Sequence, residues 1–222
     1  MAQIYIPTHG PLDWRALLAD PQKQWRAGYS AQAAARSWED AKGLPPEIAT
    51  ILGPDAELLL AFPEHKVALP GGSRPSQCDI FALARTPDQT IALSVEAKVN
   101  EPFDRSLADW MGTGTPGKRE RLRSICTLLG CPEPPGHLRY QLFHRTAAAV
   151  IEATRFKTDA AAMIVQSFAG NHRWYDDFAA FCEYLGVTAA RGRRLSYQLP
   201  DGRPLILGWA TGDAQFLENT TR

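Results

Sequence analysis

The sequence predicts a single α/β domain. Three observations carry that expectation. An alanine-rich helical segment precedes any strand, three apolar runs of strand length then follow one another, and a long helical segment separates these from a fourth, wholly apolar run. At 222 residues, 45% apolar and 22% charged, the chain is long enough for one core with additions to it.

Residues 1–29 form an expected N-terminal arm, in which Pro7, Pro11 and Pro21 surround a short amphipathic piece at 12–18. Ser30 is a candidate N-cap for a helix over 31–42 that Gly43 ends, and Pro45-Pro46-Glu47 opens a further turn through Ile48, Ile51 and Leu52. Residues 57–62 fit a first strand, and a loop bearing Gly71, Gly72 and Pro75 leads into the strand that carries Asp79. Thr86-Pro87-Asp88-Gln89 is a hairpin turn, after which 90–99 form the third strand. The segment 100–117 looks irregular. A basic helix at 118–129 stops at Gly130, and a long helix spans 137–155. A buried strand at 159–167, an aromatic helix at 174–185 and two short β segments around 195–197 and 204–209 complete the chain.

The third strand holds the chemistry. Side chains on a strand alternate faces, so Glu96 and Lys98 point one way, while Ile91, Leu93, Val95, Ala97 and Val99 point the other way into a core. A charge on so apolar a strand must be paired or bound to a metal. With Asp79 on the neighbouring strand, the pattern looks like a metal-dependent phosphodiesterase site. The bland alternative is a solvated Glu96–Lys98 ion pair on an exposed sheet face.

Asp79…Glu96-Ala97-Lys98, taken with the element order over residues 30–167, resembles the PD-(D/E)XK nuclease superfamily. The resemblance implies a restriction-endonuclease-like core (helix, three strands, helix, strand) around a mixed central sheet flanked by helices, with a C-terminal extension at 168–222. Where many members carry proline before the aspartate, this chain has Cys78. The resemblance further implies metal-dependent hydrolysis of phosphodiester bonds, with Mg²⁺ or Mn²⁺ held by Asp79, Glu96, the Ala97 backbone carbonyl and an acid of the first helix, Glu39 first and Glu47 second. Lys98 would orient the attacking water or stabilise the transition state, and Gln141 on the long helix would hold the water. Arg145 lies one turn along from Gln141 and shares its face. The expected partner is nucleic acid, DNA in the first instance, with a homodimer as the assembly to test. A non-catalytic nucleic-acid-binding or regulatory module that keeps the fold is the alternative. The whole chain is also similar to uncharacterised bacterial proteins, which implies no activity.

Other features carry less. Lys118, Arg119 and Arg121 form the densest basic cluster and are candidates for phosphate contact, while Lys+Arg and Asp+Glu balance at 24 each, so no global field attracts nucleic acid. Arg191, Arg193 and Arg194 suit a charged turn, His65-Lys66 a hairpin edge, and His144 a structural role. The six tryptophans are expected to pack rather than to stack on bases. Gly112-x-Gly114-x-x-Gly117 lacks the preceding strand that a dinucleotide loop needs. The cysteines at 78, 126, 131 and 182 form no CxxC pair and no zinc spacing, and Cys78 and Cys182 suit core positions. That usage fits a reducing, cytoplasmic setting. No signal peptide is evident at the start, and no run is long enough to span a membrane.

Overall fold

A computed structural model describes residues 8–218. Pro7, the start of the arm on which the signal-peptide expectation rests, and the last four residues of the extension lie outside them. The chain runs through α1 (Pro11–Arg15), α2 (Pro21–Gln24), α3 (Ser30–Ala41), α4 (Pro46–Leu52), β1 (Glu57–Val67), β2 (Ser76–Arg85) and β3 (Thr90–Lys98). It continues through α5 (Leu107–Met111), α6 (Pro116–Leu129), α7 (Tyr140–Phe156), β4 (Ala160–Ser167), α8 (Tyr175–Tyr184), β5 (Leu195–Gln198) and β6 (Pro204–Thr211). The fold is α/β with an open, mixed six-stranded sheet in the order β1-β2-β3-β4-β6-β5. β1, β2 and β3 pair antiparallel, β3 pairs parallel with β4 and β4 with β6, and β5 returns antiparallel along β6. A parallel step needs a crossover, and α5, α6 and α7 supply it between β3 and β4.

Helices cover both faces, so the central strands are buried throughout. Ile91, Leu93, Val95 and Ala97 pack with residues of α3 and α4, such as Trp38, Ile48 and Ile51. Ala92 joins the opposite cluster, with Phe143 and Ala147 of α7 and Ile125 of α6. The C-terminal segment is more than an extension. β6 inserts beside β4, and Leu205, Ile206, Leu207 and Trp209 are fully buried.

Several boundaries differ from expectation. β1 runs on past Pro63 to Val67, because an edge strand tolerates a residue without an N–H on its open side. The stretch taken as irregular contains α5, capped by Ser106, and α6 starts early, with Thr115 as N-cap ahead of Pro116. Ser30 does not cap α3. Its N–H and hydroxyl both donate to the carboxylate of Glu101 (3.0 and 3.1 Å), which serves the helix start instead. Lys42 in the left-handed region, rather than Gly43, ends that helix.

Candidate active site

On β3 the alternation of faces turns Ser94, Glu96 and Lys98 towards α7. Glu96 is only 2% exposed and Lys98 5%. Glu96 Oε1 accepts from Lys98 Nζ (2.7 Å) and from Gln141 Nε2 (2.7 Å), while Oε2 accepts from Arg145 Nε (2.5 Å). The spacing of Gln141 and Arg145 on α7 brings both to one carboxylate, as expected from a shared helix face. Gln141 Oε1 in turn accepts from Lys98 Nζ (3.1 Å) and from the N–H of Asp104 (3.2 Å). A solvated surface pair is therefore excluded. Burial pushes the Glu96 carboxyl up, but Arg145 and Lys98 outweigh it and hold the group below the usual carboxylate range.

Asp79 enters through a break in the ladder. β1–β2 partners run Pro63↔Ile80 and then His65↔Cys78, skipping Glu64 and Asp79. Ile80 packs on the α3/α4 side, whereas Cys78 packs against Ala148 of α7 and accepts from Ser94 Oγ (3.1 Å). Strict alternation would put residues 78 and 80 on one face, so β2 changes face at Asp79. The aspartate uses this turn to accept the Ala97 N–H at Oδ2 (2.8 Å). Burial, then Glu96 and then Glu64, raise its pKa well above the usual range, against Arg145 and Lys98.

Glu64 is the member of this group that sequence reasoning missed. It sits in the left-handed region (φ 55°) in mid-strand, accepts from Gln77 Nε2 (2.5 Å), and is pushed by burial up to about 7. Pro63 hid it, because the expected strand stopped at 62. A charged residue inside the continuing run 61–67 was the available signal.

A cavity of about 560 Å³ opens beside the cluster and is lined by Gln141 and Arg145 themselves. Its wall also carries Lys66, Arg74 and Arg121 against a lone acid, Asp104. Trp110 lines it too, packed as expected, with its ring stacked on Tyr140 at 3.8 Å between centroids. Burial, then Arg145 and Arg121, depress His144 well below the normal imidazole range. Its Nδ1 lies 2.8 Å from Ser76 Oγ, in keeping with a structural role.

A family described as "Domain of unknown function (DUF6946)" has a model that matches residues 7–214. The chain belongs to this family. No curated protein and no solved structure matches it. The site of this DUF6946 chain therefore stands on its own geometry.

That geometry separates the sequence candidates. Asp79, Glu96, Lys98, Gln141 and Arg145 form one group. Ala97 takes part through its N–H. Glu39 does not join them: α3 lies on the other face of the sheet, and the Glu39 carboxylate accepts from Thr8 Oγ1 (2.6 Å) and Trp14 Nε1 (2.7 Å), which fixes the N-terminal segment. Glu47 is likewise on that other face, accepting from Gln166 Nε2 (2.7 Å).

Of the basic cluster, Arg121 reaches the cavity, and also clamps the preceding loop through the carbonyls of Pro70 (2.9 Å) and Gly72 (3.0 Å). This close approach requires glycine at 71, where a Cβ would fall 2.2 Å from the Gly117 carbonyl oxygen. Lys118 is turned away to the carbonyl of Trp110 (2.5 Å), and Arg119 lines a separate cavity. His65, expected at a hairpin edge, lies near the end of the edge strand β1, paired with Cys78 and with its ring 4.8 Å from that of Phe81. Cys78 and Cys182 are fully buried, as their positions implied. Among the described residues no group of three His, Cys, Asp or Glu side chains is arranged to hold a metal, and no helix is long and apolar enough to cross a membrane.

Proposed function

We propose that this protein hydrolyses phosphodiester bonds in nucleic acid, DNA in the first instance, with Mg²⁺ or Mn²⁺, from a restriction-endonuclease-like core. One observation carries the reading: a buried Glu96–Lys98 pair, with Asp79 from the next strand beside it, lies behind Gln141 and Arg145 of α7, which line a cavity with a basic wall. The element order α3, β1–β3, α7, β4 and the parallel β3–β4 step support the fold assignment.

The donor set suits a hard cation. Two carboxylates suffice for Mg²⁺, which keeps waters and phosphate oxygens as its other ligands. Burial first, and then the like charges of Glu96 and Glu64, hold the Asp79 carboxyl up, and a cation among them would relieve that repulsion. Asp79 and Glu96, with the Ala97 carbonyl, would hold the ion, which lowers the pKa of water and offsets charge on the scissile phosphate. Lys98 holds a positive charge beside the carboxylates, where negative charge builds on the phosphate in the transition state. Gln141 offers an amide that can orient the water. Lys66, Arg74, Arg121 and Arg145 give the polyanion a local attraction that the neutral net charge does not.

A second reading has its own observation. Both oxygens of Glu96 are already engaged, by Lys98, Gln141 and Arg145. This closed state favours a non-catalytic nucleic-acid-binding module that keeps the fold. Plasmid nicking with Mg²⁺ or Mn²⁺ separates the two readings. Wild type should nick, and Asp79→Ala, Glu96→Ala and Lys98→Ala should each lose nearly all activity because the three act as one unit. Mg²⁺ should also raise the melting temperature of wild type but not of Asp79→Asn. DNA retention without nicking or a metal-dependent shift would select the binding module.

A further inference from the structure

Away from this site, the C-terminus of α6 brings two cysteines together. Gly130 takes the left-handed conformation (φ 67°), its N–H donates to the Thr127 carbonyl (3.3 Å), and the Cys131 N–H donates to the Cys126 carbonyl (3.0 Å). These are the paired reverse bonds of a Schellman cap. The motif brings the side chain two residues past the helix cap onto the one at the start of the last turn, where two apolar residues usually meet. Here both positions are cysteine, and the thiols are hydrogen-bonded to each other. Both are half-buried and line a cavity of about 640 Å³, together with Arg119 and Arg123.

We propose that Cys126 and Cys131 form a reactive dithiol that a peroxide oxidises reversibly to a disulfide. Their position on the cavity wall is what separates them from Cys78 and Cys182, which are fully buried and have no access to an oxidant. The bond from Cys126 sets the acidity of Cys131: it outweighs burial and brings this thiol down to about 7, so a large fraction is thiolate at neutral pH. Cys126, held up by the same bond, remains a thiol.

The Cys131 thiolate attacks one peroxide oxygen: an S–O bond forms, the O–O bond breaks, and hydroxide leaves to become water. Cys126 sulfur then attacks Cys131 sulfur, breaking the S–O bond. Hydroxide departs with the Cys126 proton as a second water. Two thiols give up two electrons in all, and one peroxide becomes two waters. The bridge closes only residues 126–131 across a cap that already holds its ends together, so it forms without unfolding α6.

Both cysteines fall in one tryptic peptide, residues 124–139, bounded by Arg123 and Arg139. The purified full-length chain is treated with hydrogen peroxide, alkylated, digested and mapped by mass spectrometry. The expected result is that this peptide loses the mass of two hydrogen atoms, takes up no alkylating agent, and regains two alkylation sites after dithiothreitol. Without peroxide, Cys131 should alkylate faster than Cys126, with a pH midpoint near 7. In Cys126→Ser the sulfenic acid at Cys131 should persist and be trapped by dimedone. A wild-type peptide that keeps both alkylation sites after peroxide, or that goes to the sulfonic acid with no disulfide, overturns the proposal. The wild-type mapping needs no variant and does not depend on nuclease activity.

Discussion

Two buried polar clusters sit back to back on the same strand pair, at residues that are neighbours in register. On the α7 side Glu96 gathers Lys98, Arg145 and Gln141. On the α3/α4 side Gln166, paired across the ladder with Ala97, donates to Ser37 Oγ (3.1 Å) and Glu47 Oε1 (2.7 Å) and accepts from Trp38 Nε1 (3.0 Å). The Gln166 amide ties two helices to the sheet with both of its donors and its acceptor in use. It is closed. The Glu96 cluster does the same joining with formal charges, at a much greater desolvation cost, and its Gln141 and Arg145 face a cavity. Since an amide with a single carboxylate partner suffices to hold helices on one side, the three charges of Glu96, Lys98 and Arg145 on the other are better explained by what enters the basic cavity than by stability.

The comparison can be broken by removing one partner from each cluster. Arg145→Met should cost the most, about 3–5 kcal/mol, because it leaves Glu96 buried with Lys98 as its remaining cation. Urea unfolding measures it, and a loss under 1 kcal/mol would mean that the charge is solvated after all. Gln166→Leu should cost less, about 1–3 kcal/mol for the unsatisfied Trp38 and Ser37 groups, and should leave nicking and DNA retention unchanged because it acts on the far face. An equal effect of Gln166→Leu on function would erase the distinction between the faces.

The acids sharpen the same contrast through pH. Glu64 has a folded pKa of about 7 against an ordinary 4.5, so the folded state holds its proton more tightly than the unfolded chain. Its contribution to stability is full below pH 4.5 and declines as pH rises to about 7. Glu96, shifted down, works in the opposite sense: its contribution is present above the unfolded value and lost as pH falls through the folded one. Glu64→Gln should therefore remove a downward slope in unfolding free energy between pH 4.5 and 7, gaining about 1–2 kcal/mol at pH 8 after allowance for its partial exposure. A variant whose profile overlays that of wild type would place Glu64 outside the electrostatic group. The smallest change is expected from Lys118→Ala, whose ammonium is turned to the carbonyl of Trp110. DNA retention should fall no more than about twofold, against a larger loss for Arg74→Ala in the cavity wall.

Much of the Glu96 cluster was legible in the sequence because local geometry determines it. A strand's period of two puts Glu96 and Lys98 on one face, and a helix's i,i+4 spacing does the same for Gln141 and Arg145. Those constraints hold whatever the strand or helix packs against. The absence of a global charge field was equally plain from composition. What the sequence could not supply was every relation between elements. Glu39 looked like a neighbour of Glu96 until α3 packed on the opposite face, and Glu64 was hidden by Pro63 until β1 continued along β2. The basic wall joins Lys66, Arg74, Arg121 and Arg145 from four separate segments, and no local pattern registers that convergence. Sequence alone settled which side chains share a face, since backbone geometry repeats over a few residues. Only the tertiary structure decided which faces meet, because that depends on burying the whole apolar surface at once.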